Sequence, residues 1–282
     1  MTSLLPSRGK DLTAPLADVA AWTRFFLGAE VPVLHETAAS LEAMRANEDN
    51  MDASVIGEVI AGDPLMTLKV FAYESEHRAK RLLTSAETVT SALVMMGISP
   101  FFRAFGPQPC VEDWLAERPE ALAGLRAVLK RAHRGANFAL AFAVHRTDPQ
   151  AAVIHAATLL HEFAETLVWC HAPALALEIQ RAQAADASLR SSVAQRSILH
   201  VDLGELQRAL TAAWHLPALI GEVAASGHAS RGSSARTVVL ATRLARHTAQ
   251  GWDNAAIPDD VAEISGLLNL SPAATLSLLR EI

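Results

Sequence analysis

Apolar residues recur at steps of three or four along most of this 282-residue chain, and that period constrains the fold more than any other feature. From 119 to about 145 the stripe is Leu122, Leu125, Leu129, Ala132, Ala136, Leu140 and Ala143. From about 149 to 169 it continues as Val153, Ala157, Leu160, Ala164 and Leu167. Leu203, Leu206, Leu210 and Ala213 mark another such stripe, and Leu240 and Leu244 another. Alternating apolar and polar runs are scarce, aromatic residues make up only 5%, and alanine and leucine abound. These biases favour helix over strand throughout. The expectation is an all-α multi-helix bundle.

Local signals place the ends of the helices. Asp63-Pro64, Ser99-Pro100, Pro119-Glu120 and Ser271-Pro272 each put proline at a first helical position, where its missing N–H costs nothing. Gly97, Gly106 and Gly251 mark ends or breaks. Gly227–Ser234 is the clearest internal loop, and Phe105-Gly-Pro-Gln-Pro109 divides the chain into two helical halves. No repeat of solenoid period is present.

Composition bears on partners and compartment. With 51% hydrophobic and 19% charged residues the chain can bury a real core. Its net charge of 24 − 30 = −6 lacks the basic footprint of a nucleic-acid binder. Cys110 and Cys170 are too few for a disulfide framework and lack zinc-knuckle spacing, so they read as two buried thiols in a reducing compartment. The first residues do not form a signal peptide, and no window approaches the ~18 consecutive apolar residues of a membrane span. The chain is expected to be cytoplasmic, with no nucleic-acid or membrane partner.

The sequence has no Gly-rich phosphate loop, no Gly-x-Ser-x-Gly elbow and no His-Glu-x-x-His pair. It does have eleven histidines. His35, His77, His145, His171 and His247 sit near polar residues or helix ends and read as surface or capping residues. His215, between Trp214 and Leu216-Pro217, reads as a turn residue. His133 lies one turn from Leu129 at the edge of its stripe, and His161 follows Leu160 on the next, with Glu162 after it. If the two helices pack as an antiparallel hairpin about Thr147-Asp-Pro149, both imidazoles face a shared interior. Two histidines and a carboxylate suit a divalent cation, although a lone histidine on an apolar face is ordinarily a satisfied core residue. The Gly/Ser loop with Arg231 and Arg236 offers an anion a backbone cradle, or is simply solvated. Arg236, Arg243 and Arg246 form a basic helix face or ordinary surface.

Several stretches together resemble one family. Val31-Pro-Val-Leu34 leads into a helix. Ile60-Ala-Gly-Asp-Pro-Leu-Met-Thr-Leu-Lys-Val-Phe71 and Leu83-Thr-Ser-Ala-Glu-Thr-Val-Thr-Ser-Ala-Leu-Val-Met-Met-Gly-Ile98 follow. An Asp-Pro entering a leucine-rich helix, a Ser/Thr turn and a helix ending in apolar-Gly-apolar resemble the HD-related output domain, HDOD. His133, then His161-Glu162 at the "HD" position, then His200 four residues before Gly204, continue the order. The resemblance covers roughly residues 20–230. It implies a lead-in over 1–19, a helical domain over 20–230 with halves 20–105 and 110–230, the second HD-like, and C-terminal helices over 231–282 packing on that second half.

In the catalytic HD phosphohydrolases related to this family, a metal is held by a histidine, the His-Asp pair and a later aspartate. Carried over, His133 and His161 match the first two positions. Glu162 is one methylene longer than the aspartate it replaces, and Thr242 is the nearest match to the last ligand. The usual Gly and Lys after the pair are Ala164 and Glu165. Losing an anionic ligand removes a strong attraction for the cation, and hydrolysis requires a metal-activated water. The resemblance therefore implies a non-catalytic signal-transduction or regulatory output module with no cofactor. Its HD positions, His133, His161, Glu162 and Thr242, would be vestigial, and His200 and His228 would line the cleft. Such a module acts on a signalling protein or a small ligand such as a nucleotide, with a homodimer open to it. The alternative is a metal-dependent phosphohydrolase, a nucleotide or cyclic-nucleotide phosphodiesterase, with a substituted ligand set.

Overall fold

The computed structural model describes residues 11–77, 86–226 and 232–282. Among these residues the regular structure is helical, and the only β pairing is an isolated parallel bridge between Val33 and Cys110. The contacts gather the chain into two compact units, Met1–Val128 with Glu162–Leu216, and Leu129–His161 with Pro217–Ile282. Phe105–Pro109 lies inside the first unit. No helix of the described residues is long and apolar enough to cross a membrane.

The first unit opens with α1 (Val19–Gly28), α2 (His35–Arg45), α3 (Ala53–Ala61) and α4 (Pro64–His77). It continues with α5 (Val89–Met96), α6 (Ile98–Ala104), α7 (Val111–Trp114) and the first part of α8 (Pro119–His145). After the break it resumes with α10 (Phe163–His171), α11 (Pro173–Ala185), α12 (Ser191–Leu199) and α13 (Leu203–Ala213). Short polar side chains start these helices by accepting otherwise unpaired N–H groups. Asp18 caps α1, Asp52 caps α3, Asp202 caps α13, and Thr88 with Ser91 forms a capping box on α5. α1 lies along α13, where fully buried Trp22 donates its indole N–H to the carbonyl of Leu199 at 3.0 Å. α10 packs on α13, α11 and α4. Gly124 of α8 is obligatory in this packing, because a Cβ there would collide with the Trp169 ring.

Asp63 organises one corner of this unit. It is fully buried, and its carboxylate accepts the N–H groups of Leu34 (2.9 Å), Leu65 (2.8 Å) and Met66 (3.2 Å). It thus starts α4 and fixes the segment that leads into α2. The neighbouring bridge holds that segment from the other side: Val33 donates to Pro109 and Val111 donates to Val33, each at 2.9 Å.

The second unit takes the rest of α8 together with α9 (Ala151–Leu159), α14 (Ala218–Ser226), α15 (Ser233–His247), α16 (Ile257–Leu268) and α17 (Pro272–Glu281). α9 packs on α15 and α14, and α16 packs on both α15 and α17. A Cβ on Gly135 of α8 would sit 3.4 Å from Thr158 and 3.5 Å from Ala245, so three helices meet closely at that glycine. Asp260, 2% exposed, accepts Arg243 and His247, each at 2.6 Å.

Several expectations need correction. The stripe from 149 to 169 is not one helix: α9 ends at Leu159 and α10 begins at Phe163. The break is held by Gln207 of α13, whose side-chain oxygen accepts the N–H of Ala164 at 2.9 Å. α6 begins at Ile98, ahead of Ser99-Pro100, because Gly97 turns the chain at φ 82°. Leu140 is 38% exposed, since the buried face of α8 there runs through Phe138, Ala139, Phe142 and Ala143. His171 is a core residue with its ring edge-on to Phe25, Phe26 and Trp114. Arg243 does not belong to a free basic face, because it pairs with Asp260 and Glu263. His215 is the exposed turn residue expected, at φ 46°.

Candidate functional site

α8, α9 and α15 position the HD-like residues of the second unit. His133 is half-buried on α8. Its neighbour in electrostatic terms is His155 of α9, which no sequence motif marks. Burial, and secondarily the nearby His133, push the His155 imidazole below its ordinary value, so it stays neutral around pH 7. A histidine on an otherwise apolar helix, one turn before buried Leu159, was the available signal.

His161 stands just beyond α9, half-buried, with its backbone N–H donated to Thr158 at 3.1 Å. This tightened turn ends the helix. Thr242 is buried on α15, 7% exposed, and its Cα abuts Gly135. Its hydroxyl donates to the carbonyl of Val238 at 2.7 Å, inside its own helix.

Within the first unit, Glu162 precedes α10 and is half-buried, and its carbonyl accepts the N–H groups of Glu165 (3.1 Å) and Thr166 (3.3 Å). His200 ends α12 in the left-handed conformation at φ 63° and is exposed. His228 and residues 227–231 of the Gly/Ser loop lie outside the described residues.

Among the described residues, the three donor side chains that do converge within 4.8 Å of one another are His35, Cys110 and Asp113, in the first unit. No sequence motif marks them, because His35 and the other two come from segments far apart in the chain.

The comparisons agree with this architecture. The family model of the HDOD domain matches residues 31–230. The MmoQ response regulator of Methylococcus capsulatus superposes with a TM-score of 0.66 at 16% identity, over 90% of this chain and 99% of that one. A virulence factor from Campylobacter jejuni superposes with a TM-score of 0.61 at 15% identity, over 92% of this chain and 96% of that one. At such identities the likeness is one of fold. No curated protein matches by sequence. With its Asp63-Pro64 helix start, its helical architecture and a family match across most of its length, the chain belongs to the HDOD domain family.

Proposed function

We propose that this chain is a non-catalytic output module of signal transduction, working in the cytoplasm, whose HD-site positions persist as packing residues. It acts by binding a protein partner or a small ligand. The observation that carries this reading is Thr242. Where a catalytic HD site would present an anionic carboxylate, the chain has a buried neutral hydroxyl already engaged with Val238. A divalent cation among imidazoles needs that negative charge nearby, so His133, His161 and Thr242 do not fit an HD-type metal centre. The fold is shared with a protein described as a response regulator, which agrees with a regulatory role. Two free buried cysteines accord with a reducing compartment.

Phosphodiesterase and nucleotidase assays with added manganese or iron test the reading. The expected result is no hydrolysis above the blank and no manganese affinity for the wild type. Substituting His161→Ala should cost about 1–3 kcal/mol of stability without any activity to lose. Combining Glu162→Asp with Thr242→Asp should raise manganese affinity by restoring carboxylate ligands. Metal-dependent hydrolysis by the wild type that disappears in His161→Ala would establish the phosphohydrolase instead.

A further inference from the structure

The corner that Asp63 pins together presents a second chemistry, unrelated to the HD positions. His35 is the first residue of α2, and Cys110 and Asp113 frame the start of α7. One ligand atom from each lies within 4.8 Å of those of the other two. His35 Nε2 stands 3.0 Å from Asp113 Oδ2. Two ligand atoms on a tetrahedral zinc are separated by about 3.3 Å, so the imidazole and carboxylate need to part by only a few tenths of an ångström to admit the ion. The thiol lies at the base, 9% exposed, while the His35 and Asp113 side chains are 53% and 69% exposed and leave a path for entry.

We propose that Cys110 Sγ, His35 Nε2 and an Asp113 carboxylate oxygen form a binding site for a zinc-type divalent cation, with solvent in the fourth position.

Three features distinguish this trio from chance neighbours on a surface. The donor types combine a soft thiolate, an imidazole and a carboxylate, the mixture that zinc accepts and that magnesium or calcium does not. The two segments are also locked in register before any ion arrives. Val33 pairs with Pro109 and Val111 across the bridge, Leu34 donates to Asp63, and the His35 N–H donates to Glu112 Oε2 at 3.0 Å, from 77 residues away. Three hydrogen bonds, two of them backbone to backbone, therefore hold residues 33–35 against residues 109–112, and Asp63 anchors Leu34 from the side, the kind of support that keeps ligating side chains oriented. The surroundings, finally, suit a cation: the Glu112 carboxylate lies beside Asp113 at the start of α7, bonded to the His35 N–H. Zinc enters and stays as the divalent ion, the Cys110 thiol proton leaves to solvent, and no electrons are exchanged.

Cobalt(II) added to the purified full-length chain tests the site, because a bound thiolate gives a charge-transfer band that histidine-only sites do not. The expected result is that band together with tetrahedral visible bands, both bleached by one equivalent of zinc. Both should vanish in Cys110→Ser, and zinc affinity should fall at least about tenfold in His35→Ala and in Asp113→Asn. Absence of the band in the wild type, its persistence in Cys110→Ser, or unchanged zinc affinity in that variant would overturn the proposal. If Cys110→Ser does not fold, alkylation of the wild type decides. Zinc should slow modification of Cys110 at least about tenfold, with fully buried Cys170 as the unreactive reference. An unchanged rate would overturn the site as firmly.

Discussion

Asp63 in the first unit and Asp260 in the second are both sealed from water, at 0% and 2% exposure, yet each is accommodated by a different means. Asp63 is hydrogen-bonded only by neutral dipoles, three backbone N–H groups and the Thr37 hydroxyl, with the Lys69 ammonium near enough to feel its charge but not bonded to it. Burial outweighs these bonds and lifts its carboxyl above the ordinary value. Asp260 is met by side chains, Arg243 and His247, with Glu263 sharing the guanidinium. Burial works against the charge on Arg243, but Glu263 and Asp260 together hold its pKa above the usual one. The first carboxylate pins backbone segments, and the second is an electrostatic latch between α15 and α16. A pin of dipoles fixes geometry independently of salt, whereas a latch of charges is only as strong as its screening allows.

The largest expected effect is at the pin. Asp63→Ala removes the common acceptor of Leu34, Leu65, Met66 and Thr37 and should cost on the order of 3–5 kcal/mol in urea unfolding. A loss below about 1 kcal/mol would mean that the backbone groups find other partners and that the contrast with Asp260 is false. Asp260→Ala comes next, at about 2–3 kcal/mol, smaller because Arg243 keeps Glu263 and reaches solvent. Trp252 lies in the second unit and reports its unfolding by fluorescence. The cost of Asp260→Ala should shrink at high salt, while that of Asp63→Ala should not. Equal salt dependence for both would erase the distinction.

The smallest effect is a matter of pH. The folded carboxyl of Asp63 lies above its unfolded value, so its contribution is fully present below the unfolded pKa and is lost as pH rises through the folded one. Asp63→Asn lacks this titration. The stability advantage of the wild type over Asp63→Asn should therefore narrow from acid toward neutral pH, read as the difference between urea midpoints. A widening gap would show that the four hydrogen bonds, not burial, dominate at Asp63.

The same division between local and distant causes decides what the sequence revealed. Asp63-Pro64, Pro119 and Ser271-Pro272 start α4, α8 and α17 where local capping rules place them, because a cap is made by residues within one turn. The break before α10 was hidden, because apolar spacing runs through it and Gln207, which holds it, lies on another helix. His171 resembled an ordinary helix-end residue, and only the arrival of Phe25, Phe26 and Trp114 makes it a core ring. At the HD positions, residue types were legible while surroundings were not. Thr242 was legible as a threonine where the resemblance implies a carboxylate, while the influence of His133 on His155 depends on how helices meet. The His35, Cys110 and Asp113 cluster was invisible, because the parallel bridge that assembles it joins segments with no shared periodicity.

The interleaved path of the chain through its two units sets the order in which a ribosome can complete them. Residues 129–161 emerge before 162–216, so the opening segment of the second unit is made ahead of the closing segment of the first. The first unit has all its residues once Leu216 is synthesised, while α9 still waits for α14 and α15. During that interval its buried residues, including Ile154, Ala157 and Leu159, lack the cover of α14 and α15 and are open to wrong partners. A fragment ended at residue 230, where the family match stops, would give α9 its α14 neighbour but never α15, which lies beyond it. The recognisable sequence thus stops inside the second unit, before the helices α15, α16 and α17 that complete it.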